Sequence, residues 1–411
     1  MAAPRRLEHN PRMVTVSSPS DLPLPSAAAQ AHSAQLCTFI ADQIAQAGGS
    51  IGFDRYMELA LYAPGLGYYS AGTAKFGPAG DFVTAPELTP LFGRTLAAPC
   101  AQWLAQLGRD AWVIELGAGS GALAADVLEG LTQRDRLPAT YAILERSAEL
   151  RERQRQLLRD RVPELLGRVR WIDALPDAPV EGVLLANEVL DALSVVRARK
   201  TAAGWMELRV GGDAERGFTD ALAPASAELA ATLEAIEAAL GLALPPGYTT
   251  ELQPWLPAWM ASLGACFSRG AMLWIDYGLP RHQYYHPERV SGTLRCHYRH
   301  RALDDPYRWP GLQDITAWVD FTALAEAAQA AGWTVEGYTT QAAFLIGAGI
   351  ESELAELDPV ADYNLLQRTK RLLMPGEMGE AFKVMALAKG DLYGPAAFEL
   401  FDQRARLWPM R

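Results

Sequence analysis

Glu115 is followed by three glycines at alternate positions, Gly117, Gly119 and Gly121, in the stretch ELGAGSG. Glycine lets a backbone approach a ligand closely, and the first amides of a helix offer donors to a carboxylate or phosphate. Such a turn needs a strand before it and a helix after it. The preceding WVIEL is a short apolar run, and the following GALAADVLEGL places Leu123 or Ala124, Val127 or Leu128, and Leu131 on one helical face.

With Ala122, the same glycines also satisfy the dinucleotide pattern GxGxxG/A, so neighbouring acidic residues must separate the two ligands. Glu115, two positions before the first glycine, can order the turn or meet the ammonium of a bound amino acid, for which a pyrophosphate has no use. Glu145 ends the next strand, TYAILE, where a carboxylate can accept both ribose hydroxyls. Asp173 follows RVRWI, within reach of an adenine amino group. Carboxylates at three successive strand ends favour S-adenosylmethionine over a dinucleotide-linked oxidoreductase. The bland alternatives are a tight turn without a ligand and exposed carboxylates at strand ends.

A methyl donor needs an acceptor site. Ligands of open α/β sheets bind outside the carboxyl ends of the strands, and LANEVLDAL puts Asn187, Glu188 and Asp191 at such an end. Glu188 and Asp191 are catalytic candidates that either orient the acceptor or merely cap the following helix. Asn187 suits the methionine part of the cofactor. Asp276 and Tyr277 in WIDYG end another strand on the same edge, and Asp276 joins the catalytic candidates. From the segment GDFVTAPEL, Asp81, Thr84 and Glu87 could approach the cofactor from a cap. His282, His286, Cys296, His297 and His300 are types that bind zinc, but no CxxC or HExxH accompanies them. They read as loop residues with no metal, His300 being a candidate pocket polar group.

The elements that must position these residues begin with a flexible arm over 1–34, rich in Pro, Ser and Ala. A helical pattern from Gln35 to Ala47 and an aromatic, glycine-rich stretch from Ile51 to Gly93 then form an N-terminal cap over 35–110. Alternating strands and helices over 111–196 and 270–390 predict a seven-stranded, mostly parallel α/β sheet. Ser147 and Asp320 are expected N-caps within it. Segments 197–269 and 279–319 interrupt the alternation as inserted cap elements: a hairpin, then a helix ended by Pro245 and Pro246, then an irregular stretch. Residues 391–411 read as a tail. The cap is either a substrate lid or the surface of a homodimer.

Composition narrows the classes further. Thirty-seven basic against 48 acidic residues give −11, which repels phosphate backbones and argues against nucleic acid. No apolar run approaches the ~20 residues that span a bilayer, so no membrane insertion is expected. Cys37, Cys100, Cys266 and Cys296 lack regular spacing, as free thiols in the cytoplasm would.

The segments YMELALYAPGLGYYS, KFGPAGDFVTAPELTPLFG, ELGAGSGALAADVL, LERS, LANEVLDALSV, WIDYG, GTLRCHYRH, DITAWVDF and MGEAFKVMALAKG together resemble the bacterial and mitochondrial MidA-like family. GDFVTAPEL and DITAWVDF are its specific marks, since the glycine motif is shared by many methyltransferases. The resemblance implies a class I (Rossmann-like) S-adenosylmethionine-dependent methyltransferase whose last strand, AFKVMALAKG, is antiparallel. It further implies methylation of a protein arginine, mitochondrial members acting on a subunit of respiratory complex I during its assembly. Trp318 stands where several relatives carry a polar residue. A non-catalytic assembly factor that keeps the cofactor site, or a small-molecule methyltransferase, are the alternatives.

Overall fold

The computed structural model describes residues 22–70 and 84–408. The expected alternation forms a central sheet of seven strands: β1 Trp112–Leu116, β2 Thr140–Leu144, β3 Val169–Ile172, β4 Val180–Asn187, β5 Phe267–Leu279, β6 Thr334–Thr340 and β7 Phe382–Lys389. Their order is β6-β7-β5-β4-β1-β2-β3. Strands β3, β2, β1, β4 and β5 pair in parallel, and β7 runs antiparallel to both β5 and β6. A two-residue strand, Val319–Asp320, lengthens the sheet beside the end of β5. The order reverses between β1 and β4, so the crevice of an open α/β sheet opens above these two strands.

Both faces of the sheet are covered, which is why its strands read as continuous apolar runs. Helices Pro90–Leu107 and Ala122–Gln133 cover one face, with Val113, Leu185 and Leu273 beneath them. Leu256–Ala265 and Phe321–Ala330 cover the other, over Ile114, Leu184 and Met272. Glycine brings the first two helices close together. A Cβ on Gly130 would lie 2.6 Å from the Cβ of Ala97, so helix Ala122–Gln133 is held firmly behind the glycine turn that precedes it. Ser147 caps Ala148–Arg161 and Asp320 caps Phe321–Ala330, both as the sequence predicts.

The cap is one unit assembled from distant segments. Ser50–Gly52, Val196–Thr201, Gly204–Asp213, Gly217–Pro224 and Thr249–Leu252 form an antiparallel sheet. Arg295–Tyr298, Arg301–Leu303 and Asp314–Thr316 form a smaller one within the stretch expected to be irregular. A shared apolar cluster joins Leu36, Tyr56, Tyr68, Val210, Cys296 and Ile315.

Four boundaries differ from expectation. The first helix spans Ala27–Gln46, capped by Ser26, so residues 27–34 are helix rather than arm; Leu36, Ile40 and Ile44 bury its inner face. Helix Ala227–Leu240 stops at Gly241, whose left-handed φ of 68° ends it before the two prolines. Helices Gln341–Gly347, Ile350–Ala355, Tyr363–Leu373 and Met378–Ala381 fill the span between β6 and β7. The tail docks on β6: Gln403 N donates to Tyr338 O at 2.6 Å, and the Phe398 ring occupies the space that a Cβ on Gly337 would need.

Candidate active site

The glycine turn takes backbone conformations that side chains resist. Gly117, Gly119 and Gly121 have φ of 61°, 53° and 91°, and a Cβ on Gly121 would approach Gln154 Cα to 3.2 Å. Beside them Glu115 is buried and accepts the Tyr141 hydroxyl at 2.7 Å. Burial drives its carboxyl up to about 7 despite that bond.

Glu145 leaves the end of β2 and is anchored twice. Its Oε1 accepts the Ser147 amide at 2.8 Å and its Oε2 accepts Gln154 Nε2 at 3.2 Å. Gln154 Nε2 also donates to Gly119 O at 3.0 Å, and Gln154 Oε1 accepts Trp171 Nε1 at 2.9 Å. Asp173 sits at the rim with its side chain 85% exposed, paired with Arg151. From the cap side Thr84 starts the short helix Ala85–Leu88, and Glu87 within it accepts the hydroxyl of Ser120 in the glycine turn. Asp81 lies outside the described residues.

Past the end of β4 the chain turns sharply. Glu188 has φ 53°, a left-handed conformation that costs a non-glycine residue of order 1–3 kcal/mol. Its amide donates to Ile275 O at 2.9 Å, and its Oε1 accepts Asn187 Nδ2 at 3.1 Å. Asp276 holds the turn from below: its Oδ2 accepts the amides of Leu190 and Asp191 at 2.9 and 3.3 Å, and its Oδ1 accepts the amide of Tyr277 at 2.9 Å. Burial, then the charge of Asp276, raises the Glu188 carboxyl to about 8. Burial, then Asp276, Glu188 and Asp314, raises Asp191 well above the usual range.

Most of these groups line one cavity of about 1260 Å³. Glu115, Gly117, Gly119, Glu145, Asp173, Thr84, Glu87, Asn187, Glu188, Asp191 and Tyr277 all open onto it. Gly121 and Asp276 do not. Gly121 shapes the turn from behind, and Asp276, with its oxygens spent on backbone amides, supports the turn that carries Glu188 and Asp191. Asp276, expected among the catalytic residues, is thus placed behind the turn and not on the cavity wall. His300, expected as a pocket group, is exposed and off the cavity wall; His297, three residues earlier, is on it, and burial lowers its imidazole to about 4.

Among the lining residues that the cap contributes, Tyr62, Tyr69 and Asp314 are polar groups that the sequence pattern left without a role. Tyr62 and Tyr69 stack with centroids 5.4 Å apart and planes 21° from parallel. Tyr62 donates to Ala192 O at 2.9 Å, and Tyr69 donates to Asp314 Oδ1 at 2.9 Å. Asp314 reaches the cavity from the small cap sheet. Trp318 takes no part in this cavity; Arg289 lies over its ring, 4.9 Å from the centroid. Among the described residues no group of three or more His, Cys, Asp or Glu side chains is placed to hold a metal ion, and no helix is long and apolar enough to cross a membrane.

A family model described as "Putative S-adenosyl-L-methionine-dependent methyltransferase" matches residues 95–339, more than half of the chain. This chain belongs to that family. The methyltransferase is similar to a crystal structure of a protein from Burkholderia thailandensis bound to S-adenosyl-homocysteine, at 47% identity and a TM-score of 0.88, covering 93% of this chain and 99% of that one. It is also similar to the mitochondrial protein arginine methyltransferase NDUFAF7 of Mus musculus, 31% identical over 82% of this chain and 81% of that protein. The Homo sapiens NDUFAF7 is 30% identical over 82% and 80%.

S-adenosyl-L-methionine is the cofactor of the methyltransferase, and the donor set fits it. The glycine turn is open to close approach, two buried carboxylates stand at the ends of β1 and β2, and Asn187 Oδ1 is buried without a hydrogen-bond partner among the described residues.

Proposed function

We propose that this methyltransferase N-methylates an arginine of a protein. The observation that carries the reading is the acidic turn at Glu188 and Asp191, which opens onto the same cavity as the glycine turn. Relatives at about 30% identity bear the name protein arginine methyltransferase.

The cofactor supplies an electrophilic methyl on a sulfonium. The acceptor must then be held in line and stripped of a proton, and a guanidinium with pKa above ~12 yields a lone pair only when carboxylates polarise it. Glu188 and Asp191 supply such carboxylates, with Asp276 fixing the turn between them. Burial first, and then the neighbouring acids, raises the proton affinity of both, and a cation seated between them favours their charged forms. The stacked Tyr62 and Tyr69 add aromatic faces, which also favour cations. On the family resemblance the arginine belongs to a complex I subunit; the cysteine pattern favours the cytoplasm as the setting. Incubation with methyl-labelled S-adenosyl-L-methionine and a single-arginine peptide library, read by mass spectrometry, tests the reading: methylarginine is expected. Label confined to other residues or to small molecules defeats it.

A further inference from the structure

Asp314 belongs to the segment DITAWVDF, and no local motif assigns it a task. It lies on the cap strand Asp314–Thr316, whereas the glycine turn and Glu145 belong to the central sheet, and all of them line one cavity. The residue is 2% exposed, yet it lines the cavity with Glu188 and Asp191. Its Oδ1 accepts the Tyr69 hydroxyl at 2.9 Å and the Ile315 amide at 3.0 Å, bonds that fix the rotation of the carboxyl. Tyr69 is itself held against Tyr62, whose hydroxyl reaches Ala192 O, one residue beyond Asp191. One run of contacts therefore joins the cap carboxyl to the acidic turn.

The two sides of the cavity differ in chemistry. The two buried carboxylates placed for the cofactor, Glu115 and Glu145, stand on the sheet at the ends of β1 and β2. Asp314 comes from the cap and stands close enough to Glu188 and Asp191 for its charge to raise both carboxyls. A planar guanidinium carries five donors in a fixed fork and can bridge carboxylates on two sides, whereas an ammonium is a compact charge with three donors.

We propose that Asp314 is an acceptor-binding carboxylate that selects a guanidinium from the cap side, with Tyr69 as its positioning residue. The inference rests on the arginine-methyltransferase reading and adds a specificity determinant to it. Arginine is gripped between the cap and the sheet; lysine, with no fork to span the gap, is not.

The test uses the full chain with S-adenosyl-L-methionine and two peptide libraries, one with a single arginine and one with a single lysine. Asp314→Asn should raise the apparent KM for the arginine library roughly ten- to a hundredfold, the size expected from losing a charge-assisted hydrogen bond. Its affinity for S-adenosyl-homocysteine should stay within about twofold of wild type, since the proposal gives Asp314 to the acceptor and not to the cofactor. Tyr69→Phe, which keeps the ring stack and removes only the hydroxyl, should raise KM severalfold with little change in kcat. A merely structural role would lower kcat and cofactor affinity together. If Asp314→Asn fails to bind S-adenosyl-homocysteine, Tyr69→Phe decides. Wild-type KM in either folded variant, or equal use of lysine by the wild type, overturns the proposal. A wild type that methylates no arginine defeats the underlying reading instead.

Discussion

Gln154 Nε2 donates to Glu145 Oε2 at 3.2 Å and to Gly119 O at 3.0 Å, so one side-chain amide ties the carboxylate at the end of β2 to the glycine turn after β1. Glu145 is thereby oriented before any ligand arrives. Replacing Glu145 by Ala should weaken S-adenosyl-L-methionine binding by about 1–3 kcal/mol, the range for charge-assisted hydrogen bonds. Isothermal calorimetry checks this, and an unchanged Kd would remove Glu145 from the cofactor site.

Gly121 tests the turn from its other side. An alanine there must hold φ near 91° and press on Gln154 Cα, 3.2 Å from the new Cβ. Gly121→Ala should cost about 1–3 kcal/mol of stability and also reduce cofactor affinity, because Gln154 is displaced from Glu145. Denaturant titration together with calorimetry would read both; a variant with wild-type values of each contradicts the geometry.

Glu188 carries the chemical claim. Glu188→Gln keeps the shape and the bond from Asn187 but not the charge, so transfer should fall by at least about a hundredfold while cofactor affinity holds. Retained turnover in a labelled-methyl assay would take Glu188 out of catalysis.

The clustered acids also predict an unusual pH dependence of stability. Folding raises Glu188 to about 8 and Asp276 and Glu115 to about 7, from ordinary values of 4.5, 3.8 and 4.5. Raised carboxyls bind more protons in the native state than in the unfolded chain, so stability falls as pH climbs from about 4 to about 8. This is the reverse of the behaviour of carboxylates held in ion pairs. In the free protein, thermal midpoints should therefore drop from pH 5.5 to pH 8. A flat or rising profile would mean the acids are compensated.

Much of this arrangement was readable from residues alone. The strand, glycine turn and helix around Gly117 follow from period and composition, and Glu145 follows from its place at a strand end. The same argument reached Glu188 and Asp191. The backbone bonds of Asp276 were not legible, since strand ends reveal which residues gather at the crevice and not which oxygens accept backbone amides. Asp314, Tyr62 and Tyr69 escaped because their role depends on contacts between chain segments more than a hundred residues apart. No local periodicity encodes such a pairing. The helix from Ala27 was hidden because its alanine-rich first turns show no apolar periodicity, and its buried apolar face begins to repeat only at Leu36, Ile40 and Ile44. The docked tail was hidden for a related reason: Gly337 admits Phe398, a fit visible only when both are in place.

The most direct measurement is a crystal structure of this chain grown with S-adenosyl-homocysteine. The account predicts the adenosyl group on the Gly117–Gly121 turn, both ribose hydroxyls within hydrogen-bond distance of Glu145, and the sulfur directed toward Glu188. Ligand density elsewhere, or a ribose that does not touch Glu145, would contradict it.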